Sequence, residues 1–140
     1  MYLVDTDVIS ESRKGDATNP GVVAFFRSTH VARTPLFLSV ITVGELRRGV
    51  ERIRQRGDEP QSQRLERWLN LLLENFSDHI LPFDADSAQL WGRLRVPDAT
   101  NPLDKQIGAT ALIHGLTVVT RNVAHFRVCG VPAHSPFSGD

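Results

Sequence analysis

The chain has 140 residues, the length of one domain with room for a substantial core. Sixteen Lys and Arg balance sixteen Asp and Glu, and 41% hydrophobic with 23% charged residues is ordinary globular composition, which excludes a disordered chain and a collagen-like repeat. The single cysteine, Cys129, excludes an intrachain disulfide scaffold and suits a reducing compartment.

No apolar run approaches the roughly 18 residues of a membrane-spanning helix. The opening MYLVDTDVIS carries acids where a secretory signal needs a basic flank, so the expectation is a cytoplasmic protein with no membrane association. No repeat, low-complexity segment or long linker interrupts the chain, and a single domain over residues 1–140 is expected.

Tyr2, Leu3 and Val4 form a short apolar run that reads as a buried strand ending on Asp5. Asn19-Pro20 is a cap followed by proline at the first helical position, and Val22, Val23, Phe25 and Phe26 supply that helix with an apolar face. Leu36 to Ser39 reads as a second strand. From about Thr42 the spacing Val43, Leu46, Val50, Ile53 is helical. Gly57-Asp58 breaks that helix, and Pro60 lies early in the next. There Leu65, Trp68, Leu69, Leu72 and Phe76 make an amphipathic stripe that reads as core.

Ile80 to Phe83 reads as a third strand, with Asp84 capping a helix that carries Ala88, Leu90, Trp91 and Leu94. Asn101-Pro102 repeats the cap-plus-proline signal. Gly115 stops the following helix, which holds Ile107, Ala111 and Leu112. Leu116 to Val119 is a fourth strand. A one-turn segment from Asn122 to Phe126 leads to a last extended piece around Val131. Short apolar strands alternating with helices imply right-handed crossovers and a mostly parallel α/β sheet. Ligands of such sheets bind beyond the carboxyl ends of the strands.

Acids occupy those ends. Asp5 and Asp7 follow the first strand, Glu45 lies early in the helix after the second, and Asp104 lies in the first turn of the helix before the fourth. Each has an ordinary explanation alone: Asp7 as a helix cap, Asp104 as a partner of the helix dipole. Three carboxylates within about 4 Å would repel pairwise by roughly 4 kcal/mol at an effective dielectric near 20. Such a cluster takes up protons or holds a divalent cation, and an all-oxygen set selects Mg²⁺ or Mn²⁺. Metal-assisted phosphodiester hydrolysis is the chemistry suggested.

The pieces YLVDTDVISE at 2–11, LSVITVGELRRGV at 38–50, ILPFD at 80–84, DKQIGATA at 104–111 and LTVVTRN at 116–122 resemble the PIN-domain family. The resemblance is specifically to VapC-type toxins of bacterial toxin–antitoxin pairs, in their Fit-like branch, and it covers nearly the whole chain. It implies a three-layer sandwich with a central, mostly parallel sheet, a homodimer, and Mg²⁺- or Mn²⁺-dependent cleavage of single-stranded RNA. It also implies a cognate antitoxin of VapB or Fit type, whose tail fills the acidic groove, and a higher assembly with it. Residue by residue, it implies metal-binding and catalytic roles for Asp5, Glu45 and Asp104. Asp7 supports the first acid, and Thr120 borders the site. Asn122 stands where many members carry a fourth acid, so a second metal would be held less tightly.

Two other positions depart from the family. Lys105 follows the third acid, where small or apolar residues are usual, and reads as a solvated lysine or a phosphate contact. His125 precedes Phe126, where many relatives have Asp, and reads as a surface or capping residue or a proton shuttle. His30, His79, His114 and His134 read as structural.

Of the 16 basic residues only Lys14 and Lys105 are lysines, and Arg47, Arg48, Arg52, Arg54 and Arg56 crowd one helix. These arginines read as a solvated face or as a contact for phosphate or an acidic partner. Arg48 and Arg52 share a side with Glu45 by helical spacing, opposite the apolar positions, which makes them candidate substrate-binding residues.

Three alternatives remain at this level. A catalytically degenerate PIN domain could bind RNA or protein without cutting, on the strength of Asn122. A haloacid-dehalogenase-type phosphohydrolase shares the Asp-x-Asp after the first strand. It also needs a lysine and a late acidic pair, yet after Thr120 there is no acid before Asp140 and no lysine. A phospho-receiver domain could use Asp84 but lacks its lysine.

Overall fold

The computed structural model describes residues 1–139. Five short strands, β1 (Tyr2–Val4), β2 (Leu36–Ser39), β3 (Ile80–Leu81), β4 (Thr117–Val119) and β5 (Ala133–His134), form one parallel sheet in the order β3-β2-β1-β4-β5. The helices are α1 (Thr6–Ser12), α2 (Pro20–Val31), α3 (Val40–Gln55), α4 (Glu59–Asn75), α5 (Ala85–Leu94), α6 (Pro102–His114) and α7 (Val123–Arg127), with a single 3₁₀ turn at Gly15–Ala17.

Strand alternation sets the layers. Val4, Leu38 and Val119 join Val8, Ile9, Val22, Phe25, Leu46, Val50 and Leu69 on one face. Leu3, Val118 and Ala133 join Ile107, Ala111, Phe126 and Val131 on the other. Consecutive residues of β1 and β4 thus enter opposite cores, which is why these strands are apolar without interruption. The result is the sandwich expected from the sequence, with α1 to α4 over one face and α6 and α7 over the other. Among the described residues no helix is long and apolar enough to cross a membrane.

Several local expectations are met. Asn19 Oδ1 caps α2 by accepting from the Gly21 amide, Asp84 Oδ1 caps α5 by accepting from the Ser87 amide, and Gly115 ends α6 at φ 65°. Of the α4 stripe Leu69 is fully buried, and Leu65, Trp68, Leu72 and Phe76 pack partly buried against the same core.

Others need correction. β3 stops at Leu81, because Pro82 cannot donate to a ladder. Asn101 lies before α6 in the left-handed region, φ 51°, and its side chain caps nothing. The preceding loop is instead closed by Asp98, whose Oδ1 accepts from the amide and hydroxyl of Thr100. α1 begins directly after β1, and its cap is Asp5, not Asp7.

The chain leaves β1 toward β2 and β3, then returns past β1 to β4. β1 and β4 are therefore neighbours whose following loops diverge, and a crevice opens at their carboxyl ends.

Candidate active site

Burial of β1 on both faces delivers Asp5 to the crevice at only 4% exposure. Its Oδ1 accepts from the Thr6 amide and its Oδ2 from the Thr120 hydroxyl, both at 2.8 Å. Burial pushes its carboxyl up to about 7, and the charges of Asp7 and Asp104 push the same way; the Thr120 and Thr6 bonds oppose them. Asp7, in the first turn of α1, accepts from the Arg121 amide at 3.0 Å through Oδ2. Its Oδ1 is buried without a hydrogen-bond partner. Burial raises the Asp7 carboxyl too, with the Asp104 charge adding to the shift.

Asp104 enters from the opposite wall. α6 runs back along the sheet, so its first turn lies at the crevice. There Asp104 Oδ2 accepts from His125 Nδ1 at 2.7 Å. The electrostatic cluster at the switch point is therefore Asp5, Asp7 and Asp104.

Glu45 comes from α3. It is half-buried and lines a groove of about 100 Å³ with Ser10, Arg13, Gly49, Leu65 and Trp68. Ser10 lies one turn beyond Asp7 on α1, so this groove adjoins the acidic crevice along one helix face. Among the described residues, no three His, Cys, Asp or Glu side chains are gathered into a ready cation cage.

Thr120 is fully buried. Its oxygen donates to Asp5 and accepts from the Asn122 amide at 3.0 Å, so it stands behind the acid rather than on a substrate-facing surface. Asn122 is exposed at the start of α7, and its side chain makes no capping bond. Arg121 lays its guanidinium 3.7 Å from the centre of the Phe137 ring, strapping the C-terminal segment beside the crevice.

Arg48 and Arg52 are exposed, and among the described residues neither pairs with a carboxylate. Arg47 and Arg54 belong to the fold: Arg47 meets Glu66 at 2.5 Å, and Arg54 meets Glu51 at 2.5 Å and Glu66 at 3.0 Å, tying α3 to α4.

One residue differs from its sequence reading. Lys105 is neither solvated nor open to a phosphate. It is 3% exposed, and its ammonium donates to the Asp98 carbonyl, because its stem packs inward from α6 while its head closes the preceding loop. Of the readings open for His125, its direct bond to Asp104 fits a place beside the site. The short turn Thr120–Asn122 between β4 and α7 keeps the first turn of α7 close to the crevice.

The donor set is oxygen throughout, which suits a hard divalent cation. Asp7 Oδ1, a buried acceptor with no donor, is the specific group such an ion would satisfy, and the upward push on Asp5 and Asp7 marks a site short of positive charge. The residues present fit Mg²⁺ or Mn²⁺.

A parallel sheet with carboxylates at its switch point defines an α/β domain built around an acidic crevice. The family model described as PIN domain matches residues 2–131, and the chain belongs to that family. It is similar to Toxin FitB of Neisseria gonorrhoeae, at 34% identity across 98% of this chain and 99% of that protein. It is also similar to VapC ribonuclease Y4jK of Sinorhizobium fredii, at 31% identity across 98% of both chains. The crystal structure of FitAcB from Neisseria gonorrhoeae superposes with a TM-score of 0.85 at 34% identity, covering 97% of this chain and 98% of that one.

Proposed function

We propose that this chain is a divalent-metal-dependent endoribonuclease, the toxin of a toxin–antitoxin pair. The observation that carries this reading is the trio Asp5, Asp7 and Asp104, like charges that repel one another at the switch point of a PIN-family sheet. A bound Mg²⁺ or Mn²⁺ supplies charge neutralisation at the phosphoryl group and a more acidic water. Asp5, Asp104 and the unpartnered oxygen of Asp7 would hold it, with Glu45 contributing from the adjoining groove. Asn122 brings no charge at a position where many family members carry a further acid, which favours a single metal. Asp5 and Asp104 are fixed from behind by Thr120 and His125, so their remaining oxygens are aimed rather than free to rotate. Arg48 and Arg52 bind the RNA backbone from the rim. A cognate antitoxin inhibits by covering the same groove, and the toxin acts as a homodimer.

The test is cleavage of single-stranded RNA by purified protein. The expected result is cleavage with Mg²⁺ or Mn²⁺, none in excess chelator, and none from folded Asp5→Asn. RNA binding without cleavage under any metal would favour the degenerate PIN reading. Full activity in chelator would assign the chemistry to something other than a metal.

A further inference from the structure

The six residues after β4 donate one hydrogen bond to each of three acids. The Thr120 hydroxyl donates to Asp5 Oδ2 at 2.8 Å, the Arg121 amide to Asp7 Oδ2 at 3.0 Å, and the His125 ring to Asp104 Oδ2 at 2.7 Å. The acids come from two distant places in the chain, the start of α1 and the start of α6, whereas their donors come from one short turn. That turn is itself tied together. The Asn122 amide donates to Thr120 Oγ1 at 3.0 Å, and the His125 amide donates to the Asn122 carbonyl at 3.1 Å.

We infer that segment Thr120–His125 is an orienting clamp for the acidic crevice, and that His125 is the positioning residue that sets the side-chain angle of Asp104. The inference rests on the metal-binding reading proposed above. Asp5 sits in a buried strand end and Asp7 on a helix with its oxygen bonded to backbone, so both are held by the main chain around them. Asp104 is more exposed, at 21% of its side chain, and its bonded oxygen is held by a side chain alone. With Oδ2 fixed, Oδ1 has one direction left.

The packing keeps the pair in register. Gly108 lies one turn beyond Asp104 on the same face of α6. A Cβ there would lie 3.1 Å from Val131 Cγ2 and 3.6 Å from the Phe126 ring, so α6 and α7 meet closely at this point. Phe126 follows His125 and is 1% exposed. Asp104 and His125 are therefore the outward ends of two helices locked together beneath them. Asn122, in this arrangement, serves through its main-chain amide. This is a different role from a fourth carboxylate, and it explains how the position tolerates asparagine.

Ligating carboxylates oriented by a hydrogen-bonding partner lose roughly 10- to 100-fold in metal affinity when that partner is removed. Calorimetric titration of Mn²⁺ into metal-free full-length protein tests this, with unfolding midpoints measured in parallel. The expected result is a 10- to 100-fold weaker Kd in His125→Ala, with an unchanged midpoint. In His125→Asn the side-chain amide nitrogen falls near the Nδ1 position, so most of the affinity should return. Wild-type affinity in His125→Ala overturns the inference and leaves the metal reading standing. So does equal weakness of both variants, or a lowered midpoint in both, since neither outcome singles out the donor. Absence of Mn²⁺ binding in the wild type overturns the metal reading and this inference together.

Discussion

Thr120 and Asp5 are 115 positions apart in sequence, yet they share a buried hydrogen bond of 2.8 Å. The contact follows from the pairing of β1 with β4 in register Val4 to Val119, which places the next residue of each strand side by side at the carboxyl edge. Thr120 supplies a donor where an acid has been forced out of water. Replacing it with the near-isosteric valine keeps the packing and deletes the donor. Thr120→Val should therefore lower stability by about 1–3 kcal/mol in urea unfolding and weaken metal binding, while Thr120→Ser retains both. Equal behaviour of the two variants would show that the hydroxyl is idle.

Asp5 also makes stability depend on pH. Its carboxyl moves from 3.8 to about 7 on folding, so the native state holds that proton more tightly than the unfolded chain. An acid shifted upward destabilises the fold as pH climbs from the unfolded pKa through the folded one. Metal-free protein should therefore lose stability between roughly pH 4 and 7, by up to about 4 kcal/mol from this group, with no further loss from it above. Denaturation in chelator at pH 5.5 and 8.5 reads this directly. Asp5→Asn should flatten the dependence and melt higher than wild type at pH 8.5. A wild-type curve without slope in this window would mean that Asp5 is already ionised in the folded protein.

The architecture was legible because its strands are apolar and its helices carry local start and stop chemistry at Asn19-Pro20, Asp84 and Gly115. β1 and β4 announce themselves as buried on both faces through Leu3-Val4 and Val118-Val119. α1 was not legible: seven residues with Asp5 at its cap look like the tail of a strand, because the cap is also the crevice acid. The site was legible to the extent that its residues lie at strand ends. The bond between His125 and Asp104 was not, since it depends on how closely α6 and α7 approach at Gly108. Lys105 misled for a related reason. A charged residue beside an acid in a helix's first turn is ordinarily solvated, and only the loop closed by Asp98 gives its ammonium a partner indoors.

Lys105 has a structural consequence of its own. Its buried ammonium is held by the Asp98 carbonyl, with the Asp98 carboxylate 3.9 Å away, and it neighbours Asp104 in sequence. Charged hydrogen bonds of this kind are worth about 1.5–3 kcal/mol. Lys105→Met keeps the stem and removes the head, so it should lower the unfolding free energy by about that amount and loosen residues 96–101 to hydrogen exchange. RNA affinity in metal-free protein should stay at the wild-type value. A large loss of RNA affinity without loss of stability would instead make Lys105 a substrate contact.

The arginines of α3 divide into two sets that mutation can separate. Arg47 and Arg54 are paired with Glu66 across on α4 and with Glu51 within α3, whereas Arg48 and Arg52 are exposed without a carboxylate partner among the described residues. An ion pair already satisfied has little to offer a phosphate, but an exposed guanidinium with no carboxylate partner retains its full capacity. Charge reversal at Arg48 and Arg52 should therefore weaken RNA binding and make its salt dependence shallower, because each lost phosphate contact releases fewer counterions. Its melting temperature should stay near wild type. Reversal at Arg47 and Arg54 should do the opposite: it places like charges against Glu51 and Glu66, lowers the melting temperature, and leaves the salt slope unchanged. Binding to the antitoxin should follow the first set, since a partner that covers the groove meets the same rim. If both pairs of reversals leave the salt slope where it was, RNA reaches the acids by another side of the crevice.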